Sequence, residues 1–201
     1  MRFQEIYKKL IEKKYYIFSF EDLCVFYPEE KRGNLRQYLS RWKKQGWTQS
    51  LKKGLYELTY PEARGVPDFY IANKMYAPSY ISLETALSYY SIIPEVSMAV
   101  ASITSKATRR FKNSHGLFIY HSVRSESFRG YIIEKHNGFD ILIAEPEKAI
   151  VDYLYFKTLR GGAFDKKAER IDQNRVKRLN KRKLEGYAKF YQLDVKELLY
   201  A

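Results

Sequence analysis

Three short segments in the first 46 residues carry apolar side chains at helical spacing, and this pattern constrains the fold more than any other feature of the chain. Apolar residues at i, i+3, i+4 and i+7 form one face of an α-helix, and that face needs a partner to cover it. We therefore expect a small helical domain at the N-terminus. The clearest stripes are Phe3, Ile6, Tyr7 and Leu10 in the first segment and Leu35, Tyr38, Leu39 and Trp42 in the third.

Local signals predict where the second and third helices begin and end. Ser19, followed three residues later by Asp22, is typical of an N-cap with an acidic residue in the first helical turn. The helix that follows is expected to stop at Pro28. Gly33 then separates it from a third helix, and Gly46 provides a natural C-terminal stop.

A β-hairpin with a basic tip is predicted next. Trp47–Leu51 and Leu55–Thr59 have the pattern of two short strands, joined at Lys52, Lys53 and Gly54, where glycine supplies the turn geometry. Three helices followed by such a hairpin indicate a winged helix-turn-helix domain over residues 1–62. The third helix of such a domain is the expected reader of the DNA major groove.

The outer face of the third helix is polar and cationic, and it contains no acidic residue. Gln37 and Arg41 on this face are expected to contribute most to base recognition, whereas the wing-tip lysines would contact phosphates. A surface helix whose charges are merely solvated is the alternative interpretation. Trp42 and Trp47 are interpreted as core residues rather than base-stacking platforms. The predicted DNA-binding residues are Arg36, Gln37, Ser40, Arg41, Lys44, Lys52 and Lys53.

The charge balance favours an anionic partner. The chain has 36 Lys and Arg against 23 Asp and Glu, for a net charge of +13. The excess is +5 over residues 1–62, +2 over 63–159 and +6 over 160–201, and phosphate-binding surfaces show such clustering. A basic surface that is only solvated remains the alternative. The C-terminal candidates for nucleic-acid or toxin contact are Arg175, Lys177, Arg178, Lys181 and Arg182.

Composition argues against several other classes of protein. An apolar fraction of 45% is too high for a disordered chain. No apolar stretch reaches the ~18 residues that span a bilayer, and a charged segment follows Met1, so we expect a cytoplasmic protein without membrane association. Cys24 is expected to be a small core residue. Because a single cysteine and three scattered histidines lack a zinc-ligand pattern, no metal and no cofactor are expected.

A second domain is predicted over residues 68–201, after a linker at Pro61–Pro67. Its first helix is expected after Ser82, and it would end before Pro94. A turn is expected at Gly138. The predicted strands are Val96–Thr104, Leu117–Val123, Tyr131–Ile133 and Asp140–Ile143.

Helices are predicted to complete this domain. Pro146 and Glu147 open a helix that runs through Leu154. Beyond Gly161 and Gly162, apolar stripes predict two closing helices, at Leu184, Tyr187, Ala188 and Tyr191 and at Val195, Leu198 and Leu199. The fold class is therefore α+β, with an N-terminal winged helix-turn-helix, a larger α+β domain with a mixed or antiparallel sheet, and basic C-terminal helices.

A catalytic interpretation of the acidic residues is weaker than a structural one. Carboxylates near a lysine could bind a metal for phosphodiester chemistry. Glu84 and Glu147, however, lie in predicted first helical turns, where the helix dipole already favours an acid. Asp152 follows Glu147 by five residues, so the two do not share a helix face. We therefore predict that the protein is not an enzyme. The set considered is Glu84, Glu145, Glu147, Lys148 and Asp152.

Five segments, in order and with consistent spacing, resemble the AbiEi family of antitoxins and transcriptional regulators. They span most of the chain. One departure is Ser91, where relatives often have glycine after the paired tyrosines. The segments are LKKGLYEL (51–58), YISLETALSYYSIIPE (80–95), ITSKATRRF (103–111), FRGY (128–131) and AEPEKAIVDYLYF (144–156).

The resemblance implies a bacterial antitoxin that represses its own operon through the winged helix. Its partners would be double-stranded promoter DNA and a cognate nucleotidyltransferase-like toxin, which some members neutralise without a tight complex. Arg109 and Arg110 match a basic pair of the family and are candidate nucleic-acid or toxin contacts. Two alternatives stay open at this point: a winged-helix regulator whose α+β domain senses a small ligand, and a nucleic-acid-processing enzyme.

Overall fold

The computed structural model describes residues 3–60, 65–95, 97–159, 164 and 169–195. The chain divides into two compact units, which are described separately. Unit 1 comprises Met1–Pro67 and Asn113–His115, and unit 2 comprises Asp68–Lys112 and Gly116–Ala201. Most of the linker predicted from the sequence, residues 61–64, lies outside the described residues. In the described ranges, no helix is both long enough and apolar enough to cross a bilayer.

Unit 1 has the element order and sheet topology of a winged helix-turn-helix. Its three-stranded antiparallel sheet has the strand order β1-β3-β2, so the hairpin β2–β3 is the wing. The elements are α1 (Phe3–Glu12), β1 (Ile17–Ser19), α2 (Phe20–Phe26), α3 (Arg32–Lys44), β2 (Thr48–Lys52) and β3 (Leu55–Leu58).

The predicted apolar stripes form the core of this unit. Ile6 and Leu10 of α1 and Leu35 of α3 are fully buried. Trp42 is also buried, and its ring centroid lies 5.2 Å from that of Phe3. Trp47, Tyr7, Tyr38 and Cys24 pack against the same cluster as partly buried residues. The prediction that both tryptophans are core residues is confirmed.

The predicted cap of α2 is confirmed, and the predicted start of α3 is wrong. The Ser19 side chain accepts a hydrogen bond from the Asp22 backbone N–H at 3.1 Å, and the Asp22 carboxylate accepts one from the Ser19 N–H at 2.6 Å. Gly33 does not separate the helices, because α3 already begins at Arg32. A single glycine costs a helix about 1 kcal/mol, which the burial of the α3 stripe easily exceeds. Strand β1 was not predicted, since three residues are too few to show a period.

Unit 2 is an α+β unit built on a six-stranded mixed sheet with the order β6-β7-β5-β4-β9-β8. Strands β5 and β7 are parallel, as are β4 and β9, whereas β4–β5 and β8–β9 are antiparallel. Its elements are α4 (Asp68–Met75), β4 (Ser79–Ile81), α5 (Leu83–Tyr89), β5 (Ala99–Thr104), β6 (Arg109–Asn113), β7 (Gly116–Ser122), β8 (Tyr131–His136), β9 (Phe139–Ala144), α6 (Pro146–Thr158), α7 (Gln173–Lys177) and α8 (Lys181–Lys189).

Helices cover both faces of this sheet. The Tyr80 hydroxyl of β4 donates to Asp152 on α6 at 3.1 Å. Tyr120 of β7 pairs with Ser102 of β5, which in turn pairs with Ile81 of β4. Ile81 and Tyr80 are consecutive on one strand, so their side chains point to opposite faces of the sheet, and Tyr120 lies on the face of Ile81. Its hydroxyl donates to the Ala72 carbonyl on α4 at 2.7 Å. Helix α4 therefore lies on one face, and α6 lies on the other.

Several sequence-based expectations for unit 2 need correction. Helix α4 and strand β6 were not predicted, so the helix after Ser82 is not the first of this unit. The strand expected at Val96–Thr104 begins only at Ala99, and Val96 lies outside the described residues. On β7 the fully buried residues are Phe118 and Tyr120, which share one face of the strand.

The helical C-terminal region agrees with expectation only in part. Helix α6 begins at Pro146, as predicted. Leu184 and Ala188 of α8 are buried, but Tyr191 follows the end of that helix. Gly161 and Gly162, beyond which the closing helices were expected, and Leu198 and Leu199 of the last predicted stripe lie outside the described residues.

Candidate nucleic-acid interface

A groove in unit 1 runs between helix α3 and the wing. Its volume is about 500 Å³. Helix α3 forms one wall and the β2–β3 hairpin forms the other, while Phe20 closes one side. The described side chains that line it include three cations and no carboxylate. Its lining residues are Phe20, Arg36, Leu39, Ser40, Lys43, Ser50, Lys53, Gly54 and Tyr56.

The exposed surface of α3 consists of two parallel stripes. Arg36, Ser40 and Lys43, spaced i, i+4 and i+7, line the groove. Gln37, Arg41 and Lys44 repeat that spacing one position further along, are exposed, and do not line it. The predicted α3 contacts thus lie on the surface, but the structure divides them into a groove stripe and an outer stripe. The sequence interpretation missed Lys43, which the i+7 relation to Arg36 could have revealed.

The wing tip presents its basic residues differently. Lys53 is exposed and lines the groove, whereas Lys52 is half-buried at the end of β2. A register irregularity between Ser50 and Lys52 bends this strand, and the Ser50 hydroxyl donates to the Lys52 carbonyl at 3.0 Å. Gly54 has φ +79° and its carbonyl accepts the Phe20 N–H at 3.2 Å, so the start of α2 holds the wing turn.

One acidic side chain neutralises the start of α3. The Glu21 carboxylate accepts two hydrogen bonds from Arg32, at 2.6 and 3.0 Å. The hydrogen bond from Arg32 lowers the pKa of Glu21. Arg36 lies over the Phe20 ring, with its guanidinium carbon 5.2 Å from the centroid. No ion pair with a described residue involves Arg41, so the cationic face beyond the first turn stays uncompensated.

The basic pair Arg109–Arg110 lies on β6, the edge strand of the sheet in unit 2, and both residues are exposed. Consecutive strand residues point to opposite faces of a sheet. The two guanidinium groups therefore cannot bind side by side as a single contact.

The basic C-terminal residues lie on the outer surface of α7 and α8. The capping side chains of Asp172 and Asn180 fix the starts of these two helices. Val176 on α7 and Leu184 on α8 are buried, so the opposite face of each helix packs into the unit. The Lys183 ammonium on α8 lies 2.8 Å from the Glu145 carboxylate. The exposed candidates are Arg175, Lys177, Arg178, Lys181 and Arg182.

A buried polar cluster in unit 2 was not predicted. The Lys148 and Asp152 side chains, spaced i and i+4 on α6, form an ion pair and are 1% and 0% exposed. The Asp152 carboxylate also accepts hydrogen bonds from Tyr191 at 2.6 Å, Ser82 at 2.8 Å and Tyr80 at 3.1 Å. Ser82 is the N-cap residue of α5 but makes no capping hydrogen bond, because its hydroxyl donates to Asp152 instead.

Burial governs the protonation of the buried polar cluster. It raises the pKa of Tyr80 and of Tyr191, and the nearby Asp152 carboxylate raises both further. Both hydroxyls therefore act as donors to that carboxylate. Burial also lowers the pKa of Lys148, although Asp152 opposes this shift.

Three of the four carboxylates in the candidate catalytic set, those of Glu145, Glu147 and Asp152, have hydrogen-bond partners, whereas Glu84 lines a cavity beside Tyr153 and Lys157. Glu145 binds Lys183 and accepts the Tyr187 hydroxyl at 2.6 Å. Glu147 accepts the Asn180 backbone N–H at 2.8 Å, and this hydrogen bond connects α6 to the start of α8. Glu145, the N-cap residue of α6, and Glu147, in its first turn, thus connect α6 to the C-terminal helices.

No protein-family model matches this chain, and no curated protein shows significant similarity to it. The groove, the charge of α3 and the sequence resemblance described above are therefore the features that point to a function.

Proposed function

We propose that this protein is a cytoplasmic DNA-binding antitoxin that represses its own operon and counteracts a nucleotidyltransferase-like toxin. The observation that supports DNA binding is the cationic groove between α3 and the wing, whose described lining contains no carboxylate. The antitoxin role rests on the five segments that resemble the AbiEi family. In this proposal the protein binds and does not catalyse.

The two stripes of α3 would have different roles in the complex. The outer stripe, with Gln37 and Arg41, enters the major groove, where bidentate side chains discriminate base edges. The groove between α3 and the wing holds the sugar-phosphate backbone through Arg36, Lys43 and Lys53. Phosphate contacts then supply affinity, and the outer stripe supplies sequence preference.

Titration of labelled duplexes, monitored by fluorescence anisotropy, tests this assignment. The duplexes are the sequence upstream of the protein's own reading frame and a shuffled version of it. Lys43→Ala, and Lys52→Ala combined with Lys53→Ala, should weaken binding to both duplexes alike. Gln37→Ala and Arg41→Ala should also reduce the preference for the upstream duplex, by ~1 to 3 kcal/mol. Wild-type affinity should fall with salt by ~0.9 log units per phosphate contact for each log unit of salt.

Lys8→Ala combined with Lys13→Ala is the matched control. Both lysines are exposed, one on α1 and one just after it, and neither lines the groove. This double substitution lowers the net charge of the protein by as much as the double substitution at the wing tip. This variant should bind nearly as the wild type does. If the control loses as much affinity as the groove variants, the proposed interface is contradicted. If Gln37→Ala weakens binding to both duplexes alike, α3 does not recognise bases.

Growth rescue tests the antitoxin role separately. Co-expression of the protein with the toxin encoded beside it should restore growth. The resemblance to the AbiEi family implies that the larger C-terminal domain carries the antitoxin activity, so Gln37→Ala should still rescue growth while it relieves repression. Failure of the wild-type protein to rescue would overturn the antitoxin role and leave DNA binding standing.

A further inference from the structure

A small cavity lies in unit 2 next to the buried polar cluster. Its volume is about 210 Å³. Its walls come from three places: the 3-10 turn at Ser125–Ser127 with the residue before it, helix α6, and the turn after α8. Three of the lining side chains are polar and three are aromatic. They are Arg124, Ser127, Tyr155, Phe190, Tyr191 and Gln192.

The rim of the cavity is cationic. The Arg124 side chain is 81% exposed, and its recorded carboxylate partner, Glu126, is 3.9 Å away, beyond hydrogen-bonding distance. A second guanidinium, that of Arg129, lies 4.2 Å from the centroid of the Phe190 ring. Arg124 can therefore donate to an anion without losing a strong existing partner.

The aromatic wall is held rigidly. The Tyr191 ring stacks on Tyr155 with centroids 4.3 Å apart and an angle of 23° between the planes. Its hydroxyl is fixed on the other side by Asp152 and by Lys148, which donates to it at 2.9 Å. The buried polar cluster thus positions one wall of the cavity.

Gln192 occupies a backbone conformation that glycine would adopt at lower cost. Its φ is +55°, and the hydrogen bond from the Leu193 N–H to the Ala188 carbonyl at 3.2 Å marks the C-terminal turn that usually carries glycine. The side chain that accepts this strain lines the cavity. Strained positions of this kind concentrate at binding sites.

We propose that this cavity binds a small ligand in which a planar ring is joined to an anionic group, which is the chemistry of a nucleotide. The ring would pack against the aromatic lining side chains Tyr155, Phe190 and Tyr191. The anion would bind Arg124, and the Gln192 amide would bind the polar edge of the ring. This site is additional to the DNA interface of unit 1.

Calorimetric titration of the full chain tests the proposal with AMP, GMP, CMP and UMP, with the matching nucleosides and with inorganic phosphate. At least one nucleotide should bind saturably at one site, and more tightly than its nucleoside or phosphate. A 5′-phosphorylated dinucleotide shows whether the ligand is a free nucleotide or a strand end, and binding of either form supports the site. Phosphate that binds as tightly as every nucleotide would overturn the role of the aromatic wall.

Variants localise the binding. Arg124→Gln should weaken nucleotide affinity about tenfold or more, since it removes a charge-assisted hydrogen bond. Lys135→Gln also removes one positive charge, from an exposed position on β8 outside the cavity, and should leave affinity unchanged. Gln192→Gly should raise the unfolding midpoint while it weakens binding, a combination that a purely structural residue would not give. The proposal fails if none of the four nucleotides binds, if Lys135→Gln weakens binding as much as Arg124→Gln, or if Gln192→Gly leaves affinity unchanged.

Discussion

At the scale of single residues, the backbone conformation of Gly130 leaves room for side chains at the edge of the buried polar cluster. Its φ is +76°, and a Cβ placed there would lie 2.7 Å from the Tyr187 ring and 3.1 Å from Cγ of Lys148. Its carbonyl accepts the Glu145 N–H at 2.9 Å, just before α6 begins. Glycine is therefore required here for both conformation and space.

We expect Gly130→Ala to destabilise the protein more than Gly138→Ala does. Both glycines have positive φ, but a Cβ at Gly138 would meet nothing within 4 Å. The control should cost about 1 kcal/mol for its left-handed backbone, and overpacking should add ~1 to 3 kcal/mol at Gly130. Urea denaturation followed by far-UV circular dichroism measures the difference. Equal losses would mean that the Tyr187 ring moves aside freely.

At the scale of elements, the end of α5 departs from the usual chemistry of helix ends. Ser91 has φ +56°, and the Ile92 N–H donates to the Leu87 carbonyl at 2.8 Å, so Ser91 occupies the left-handed position that usually holds glycine. Serine in place of glycine at this residue thus leaves the turn intact, at a cost in backbone strain.

A pair of serine-to-glycine substitutions measures that strain. Ser91→Gly should stabilise the protein by ~0.5 to 1 kcal/mol, because glycine adopts this conformation without a Cβ penalty. Ser88→Gly, three residues earlier within α5, should destabilise it by about 0.5 kcal/mol through lost helix propensity. Thermal unfolding reports both changes, and shifts of the same sign would contradict the assigned conformation of Ser91.

At the scale of the whole molecule, the two units have separate cores and different optical reporters. Both tryptophans of the chain, Trp42 and Trp47, belong to unit 1. Leu35 in unit 1 and Ile150 in unit 2 are each fully buried. Tryptophan fluorescence therefore follows unit 1, whereas far-UV circular dichroism follows both units.

We expect core deletions in the two units to act on different transitions. Leu35→Ala should lower the stability seen by tryptophan fluorescence by ~2 to 5 kcal/mol. Ile150→Ala should shift a far-UV phase by a similar amount and leave the fluorescence midpoint in place. If Ile150→Ala moves the fluorescence midpoint as far as Leu35→Ala does, the units unfold as one.

Sequence reasoning succeeded where the controlling interactions are local. The stripes of α1 and α3, the Ser19–Asp22 cap and the Gly54 turn each depend on residues at most seven positions apart, and each could be predicted. The short elements β1, β6 and α4 show too little periodicity to be found. The predicted α3 contacts all lie on its exposed face, but their division into a groove stripe and an outer stripe required the position of the wing.

By itself, the sequence determined the α+β class, the winged helix-turn-helix order of unit 1 and the concentration of positive charge on α3 and on α7–α8, because periodicity, caps and charge are properties of neighbouring residues. Only the tertiary structure decided which side chains share a site. Asp152 meets Tyr80 from 72 positions away and Tyr191 from 39, and Tyr191 also forms a wall of the cavity beside them. Such contacts depend on how strands and helices are ordered in space, and no local pattern in the chain encodes that order.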